Sequence, residues 1–92
     1  YDEIEVKVNP YKLESLIPNP ATTQVTENYV ADDANSAYLM VVNTNNGSSN
    51  NYILDTTSYS ITFDVSGYTA GIYEVILVAN GATQTSQTLI KQ

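Results

Sequence analysis

The sequence predicts an all-β sandwich. Three observations carry that prediction: short runs in which apolar and polar residues alternate, turn residues recurring at intervals of roughly ten positions, and no stretch with helical apolar spacing. At 92 residues the chain suffices for one domain and is too short for two. A chain of this size can bury one modest core without staples.

Ile4, Val6 and Val8 alternate with Glu5 and Lys7, the period of a half-buried strand, and Asn9-Pro10 stops it. This segment is either the first strand of the domain or the tail of a preceding one. Lys12 to Ile17 could hold a short extended piece. Pro18-Asn19-Pro20 then makes a rigid entry, because proline fixes its own φ and pushes the residue before it towards extended geometry. We therefore expect residues 1–15 to be a strand or linker from or next to a preceding domain, and residues 16–92 to be the sandwich. The chain opens on Tyr1 rather than methionine, which suggests a mature product or an excised piece.

Thr23 to Val30 is a candidate strand with Val25 and Tyr29 on one face. Glu27 shares their parity, so the expectation is either an edge strand or a bulge that turns the glutamate outward. Asp32 to Ser36 is a polar loop. Ala37 to Val42 (AYLMVV) is continuously apolar, which predicts a core strand covered on both sides or central in its sheet. Asn43 to Asn51 is turn chemistry around Asn46-Gly47, and Tyr52 to Leu54 is the return partner. Tyr59, Ile61, Phe63 and Val65 then alternate with polar residues, predicting one buried and one wet face.

The last third, Gly67 to Gln92, reads as a terminal hairpin. Ile72 to Ala79 is an apolar strand, Asn80-Gly81 suits a type I′ turn because both residues take positive φ cheaply, and the polar return run closes on Leu89-Ile90. Before it, Gly71 and Tyr73 have the spacing of a tyrosine corner. In Greek-key sandwiches that hydroxyl reaches back to a backbone group a few residues upstream, and the glycine supplies the unusual backbone angle. Gly71 and Tyr73 are therefore expected to serve folding.

Ten carboxylates against three lysines give a net charge of −7. A phosphate backbone needs a basic footprint, so nucleic acid is excluded as a partner, and an anionic membrane surface would repel the chain. No apolar run approaches the ~20 residues that span a bilayer, so no direct membrane insertion is expected. Cysteine and histidine are absent. Catalysis would then need a carboxylate pair or an activated Ser, Thr or Lys, and no spacing brings such groups together. We expect no enzyme activity, no catalytic residue, no cofactor and no metal. Asp32-Asp33 reads as a solvated loop. Asp32, Asp33 and Asn35 could offer oxygens to calcium, but the ligand series and glycine of an EF-hand loop are missing. Eight tyrosines read as core and sheet surface, with a sugar-binding platform as the competing reading.

Three motifs occur in order: Ile17-Pro18-Asn19-Pro20-Ala21 before the first core strand, Ala70-Gly71-Ile72-Tyr73 before the penultimate strand, and Leu89-Ile90-Lys91-Gln92 at the end. From Leu16 to Gln92 the chain resembles the type A C-terminal sorting domain of type IX secretion system cargo in Bacteroidetes. The resemblance implies an immunoglobulin-like, Greek-key sandwich of about seven antiparallel strands behind an N-terminally fused cargo. It implies transit through the periplasm, delivery by an outer-membrane translocon to the cell surface or exterior, and processing by a sortase-like enzyme that removes the domain or exchanges it for a surface anchor. Carried over by residue, Pro18, Asn19 and Pro20 match the entry motif, Gly71 and Tyr73 the G-x-Y motif, Asn80 and Gly81 the hairpin turn. Leu89, Ile90, Lys91 and Gln92 match the terminal recognition motif. Glu27 and the long Asn43 to Asn51 loop depart from the family pattern. The final strand is expected to be an exposed edge open to strand addition, and trimming Leu89 to Gln92 to cost secretion with less loss of folding. The alternative reading is an immunoglobulin-like spacer or adhesion module of a bacterial surface protein, carbohydrate binding included.

Overall fold

The computed structural model describes residues 11–92, so the strand expected over Ile4 to Val8 lies outside the described residues. These residues form seven strands and no helix: β1 (Lys12–Leu13), β2 (Gln24–Val30), β3 (Ala37–Asn43), β4 (Ser49–Leu54), β5 (Ser60–Asp64), β6 (Gly71–Ala79) and β7 (Ala82–Lys91). They pair antiparallel into a three-stranded sheet, β1-β2-β5, and a four-stranded sheet, β4-β3-β6-β7. The chain changes sheet between β2 and β3, β4 and β5, and β5 and β6. That is the all-β sandwich the sequence predicts, in the immunoglobulin-like, Greek-key form that the resemblance implies.

Strand parity builds the core. Val25 and Tyr29 from β2, Phe63 and the following Val65, Leu39 and Val41 from β3, Val75 and Leu77 from β6, and Leu89 from β7 all lie inside. β3 is central in its sheet, between β4 and β6, which accounts for its unbroken apolar run. Its inner residues Ala37, Leu39 and Val41 are buried, while Tyr38, Met40 and Val42 point outward and are half-buried. Tyr59 continues the parity of β5 beyond the core, where it is exposed.

Two expectations for Glu27 are corrected. β2 is the middle strand of its sheet, not an edge, and its register with β5 runs unshifted from Gln24↔Asp64 to Asn28↔Ser60. Glu27 is fully buried. Val25 and Tyr29 anchor the strand face on either side of it, and turning Glu27 out by a bulge would disrupt the ladder that holds both. Among the described strands the register irregularity lies elsewhere, between β6 and β7 at Leu77/Val78.

Candidate functional site

The corner before β6 is built as the sequence predicts. Gly71 has φ of 151°, a backbone conformation that favours glycine. Tyr73 is buried and its hydroxyl donates to the Thr69 carbonyl at 2.6 Å. Its ring tilts against Tyr68 with centroids 5.0 Å apart, and Tyr68 shares a short hydroxyl–hydroxyl hydrogen bond with Tyr52, which stacks on Phe63. One aromatic row thus links the corner to both sheets. Replacing Tyr73 with phenylalanine should leave the Thr69 carbonyl without its partner and cost about 1–3 kcal/mol. Urea unfolding measures it, and an unchanged midpoint would mean that the corner is not pinned by this bond.

At the other end of β6, Asn80 and Gly81 take φ of 54° and 80°, as a type I′ turn requires. Asn80 also does something its dipeptide context does not signal. Its side-chain oxygen accepts from the Asn35 and Ser36 amides at 2.8 and 3.4 Å, tying the acidic loop to the hairpin.

The terminal motif is bound into the fold. Leu89 is fully buried and pairs with Tyr73, and Gly71 pairs with Lys91. Lys91 is also buried, its Nζ donating to the Gln92 carbonyl at 2.8 Å. Ile90 alternates outward and is 42% exposed. The outer side of the strand is occupied. Asn19 donates through Nδ2 to the Thr88 carbonyl and accepts through Oδ1 from the Ile90 amide, both at 2.9 Å. One side-chain amide thus completes two ladder bonds that a neighbouring backbone would otherwise supply. Beyond it, Ala21 runs parallel to Lys91, donating to the Ile90 carbonyl at 2.8 Å and accepting from the Gln92 amide at 2.9 Å. The peptide bonds before Pro18 and Pro20 are both cis.

The structure therefore brings Asn19, Gly71, Tyr73 and Leu89 to Gln92 together at one end of the sandwich, and leaves Asn80 and Gly81 at the other. It also corrects one expectation. From Thr88 to Gln92 the last strand is not an open edge, because Asn19 and Ala21 already hold it. Leu89 is part of the core, so trimming Leu89 to Gln92 removes core contacts as well as the terminal motif.

Elsewhere, both carboxyl oxygens of Glu27 lack a hydrogen-bond partner among the described residues. Burial, and secondarily the charge of Glu14, push its pKa up to about 8. The signal was present in the sequence as a carboxylate sharing the parity of Val25 and Tyr29. Asp55 is held below the usual carboxylate range by hydrogen bonds from the Thr57 hydroxyl and amide, and Asp64 by those from Ser66. In the acidic loop, Asp32 accepts from the Tyr59 hydroxyl at 3.3 Å. Among the described residues no group of three or more His, Cys, Asp or Glu side chains is placed to hold a metal ion. The described tyrosines do not form one exposed stripe: Tyr29 and Tyr73 are buried, and Tyr52 and Tyr68 face the core while Tyr38 lies on the opposite face of its sheet. A cleft of about 160 Å³ beside Tyr68 is walled by Asn43, Asn46 and Asn50. The first two amides already serve the loop's own backbone, accepting from the Asn45 and Ser48 amides.

Compared with known proteins, residues 15–92 match the family model described as a secretion system C-terminal sorting domain. No curated protein matches the chain.

Proposed function

The chain belongs to the family of secretion system C-terminal sorting domains that serve type IX secretion, and from that premise we propose that it carries an N-terminally fused cargo through the periplasm to the type IX translocon. After export a sortase-like enzyme removes the domain or replaces it with a surface anchor. The domain itself does no chemistry. The observation that carries this reading is the family match, which spans nearly all of the described sandwich and includes every motif residue from Pro18 to Gln92.

The roles we assign to the motif residues are unequal. Asn19, Gly71, Tyr73, Leu89 and Lys91 act by building the closed end of the sandwich, because their side chains or backbones are spent on internal contacts. Pro18 and Pro20 shape the approach to Asn19, and Asn80 and Gly81 close the hairpin. Ile90 and Gln92 are left to be read directly, being the exposed members of the terminal motif.

The test is a periplasmic reporter fused ahead of the full chain in a type IX-competent host. The reporter should reach the surface or the medium, and a strain lacking the translocon should retain it in the periplasm. Retention in the competent host would sink the proposal. Release that ignores the translocon would favour the spacer or adhesion module instead.

A further inference from the structure

The outer face of the four-stranded sheet is unusual for a secreted sandwich. Antiparallel sheets that face water normally alternate apolar-in with polar-out. Here Tyr38, Met40 and Val42 on β3 and Ile72 and Ile76 on β6 all point outward, half-buried or exposed, and the Met40↔Ile76 cross-strand pair joins the two rows. Through the Ile72↔Ile90 pair the patch continues onto β7. Ile72 is 52% exposed and Ile90 42%. Glu74 is the charged residue among the described strand positions of this face, and its Oε1 already accepts from the Thr88 hydroxyl. A contiguous apolar surface of this kind marks a protein interaction site.

We propose that this face is the docking surface for a protein of the secretion machinery, one that presents an apolar patch with a basic rim. The inference rests on the sorting function proposed above and adds the place where the partner sits. Two observations select that occupant. The patch is continuous with Ile90, the exposed apolar side chain of the terminal motif, so one partner can cover both. A second copy is disfavoured by charge. Each chain is strongly acidic, with a formal charge of −7, so two copies repel, whereas a basic rim is attracted and steered.

The experiment uses the reporter fused ahead of the full chain, with Ile72→Lys and Ile72→Leu compared in the type IX-competent host. Ile72 lies outside the terminal motif and its side chain is exposed, so neither variant should shift the unfolding midpoint appreciably. The lysine variant should lower the export rate about tenfold, the effect of losing one apolar anchor, and leucine should restore it. A photo-crosslinking residue at position 72 gives a second readout independent of any folding loss. It should join the chain to a component of the translocon. Export of the folded lysine variant at the unmodified rate would overturn the inference, as would crosslinks only to a second copy, only to the reporter, or to nothing. If the unmodified fusion is not exported, the sorting function itself fails and this docking surface falls with it. Export of the unmodified fusion together with any of the negative results removes the docking surface alone.

Discussion

Deleting Leu89 to Gln92 should cost about 3–5 kcal/mol of folding stability, a large share of what a small domain has. The deletion removes a fully buried leucine that packs inside the sandwich. It also strips β6 of its pairing from Gly71 to Tyr73 and leaves Asn19 and Ala21 without the strand they hold. Leu89→Ala alone should account for about 2–5 kcal/mol, and Asn19→Ala for about 1–2, since it removes two exposed hydrogen bonds to β7. Ile90→Ser, on the surface, should change stability by less than about 1 kcal/mol. Urea unfolding of the full chain and the four variants checks the order, and a deletion as stable as the parent would show that the terminal motif is not structural. A secretion defect in the truncated chain would therefore not by itself report recognition of the motif. On the proposed sorting role, point changes at Ile90 separate recognition from folding.

Replacing Glu27 with leucine should stabilise the domain, most at alkaline pH. The carboxyl titrates from 4.5 when unfolded to about 8 when folded. Between these values the unfolded chain has released a proton that the folded chain still holds, so stability falls as pH rises through the window. It is flat below 4.5 and levels off again above about 8. The whole fall amounts to about 4–5 kcal/mol at 1.36 kcal/mol per unit. Leucine abolishes that slope and also removes a buried polar group that has no hydrogen-bond partner among the described residues. Glutamine should abolish the slope while keeping the unsatisfied polar atoms, so it should gain less. Asp55 and Asp64 act with the opposite sign. Their folded values are lowered, so their contribution is present at neutral pH and is lost in acid. Unfolding midpoints at pH 5 and pH 8.5 decide the matter. A parent protein equally stable at both, or a leucine variant no more stable at pH 8.5, would mean that Glu27 reaches water.

Much of the architecture was legible because its causes are local. Period-2 alternation in Ile61, Phe63 and Val65 sets which face of β5 is dry, and Asn80-Gly81 sets the hairpin, each within a few residues of chain. The tyrosine corner is local too, since Tyr73 reaches only to Thr69. The family resemblance then linked the motifs, and it extends over the residues that the family model matches.

Glu27 shows where local reasoning misleads. A carboxylate at a core position suggests that the strand must yield, but the valine and tyrosine on either side hold it in register, and the charge is given up instead by protonation. The terminal motif shows the same limit from the other direction. Its polar run resembles an open edge only while Asn19 is out of view. Asn19 and Ile90 are 71 positions apart, and no window of sequence contains both.

The sequence by itself determined the all-β class, the Asn80-Gly81 turn and the pinned corner, because these follow from backbone preferences and side-chain alternation over short distances. The turn expected over Asn43 to Asn51 is shorter, since Asn43 ends β3 and Ser49 to Asn51 already pair with that strand in β4. Only the tertiary structure decided that Leu89 lies in the core, that Asn19 and Ala21 close the last strand, that Glu27 is buried without a hydrogen-bond partner among the described residues, and that the apolar residues of β3 and β6 meet on one outer face. Each of those depends on which distant segments are brought side by side, and burial and pairing are properties of that juxtaposition rather than of any residue alone.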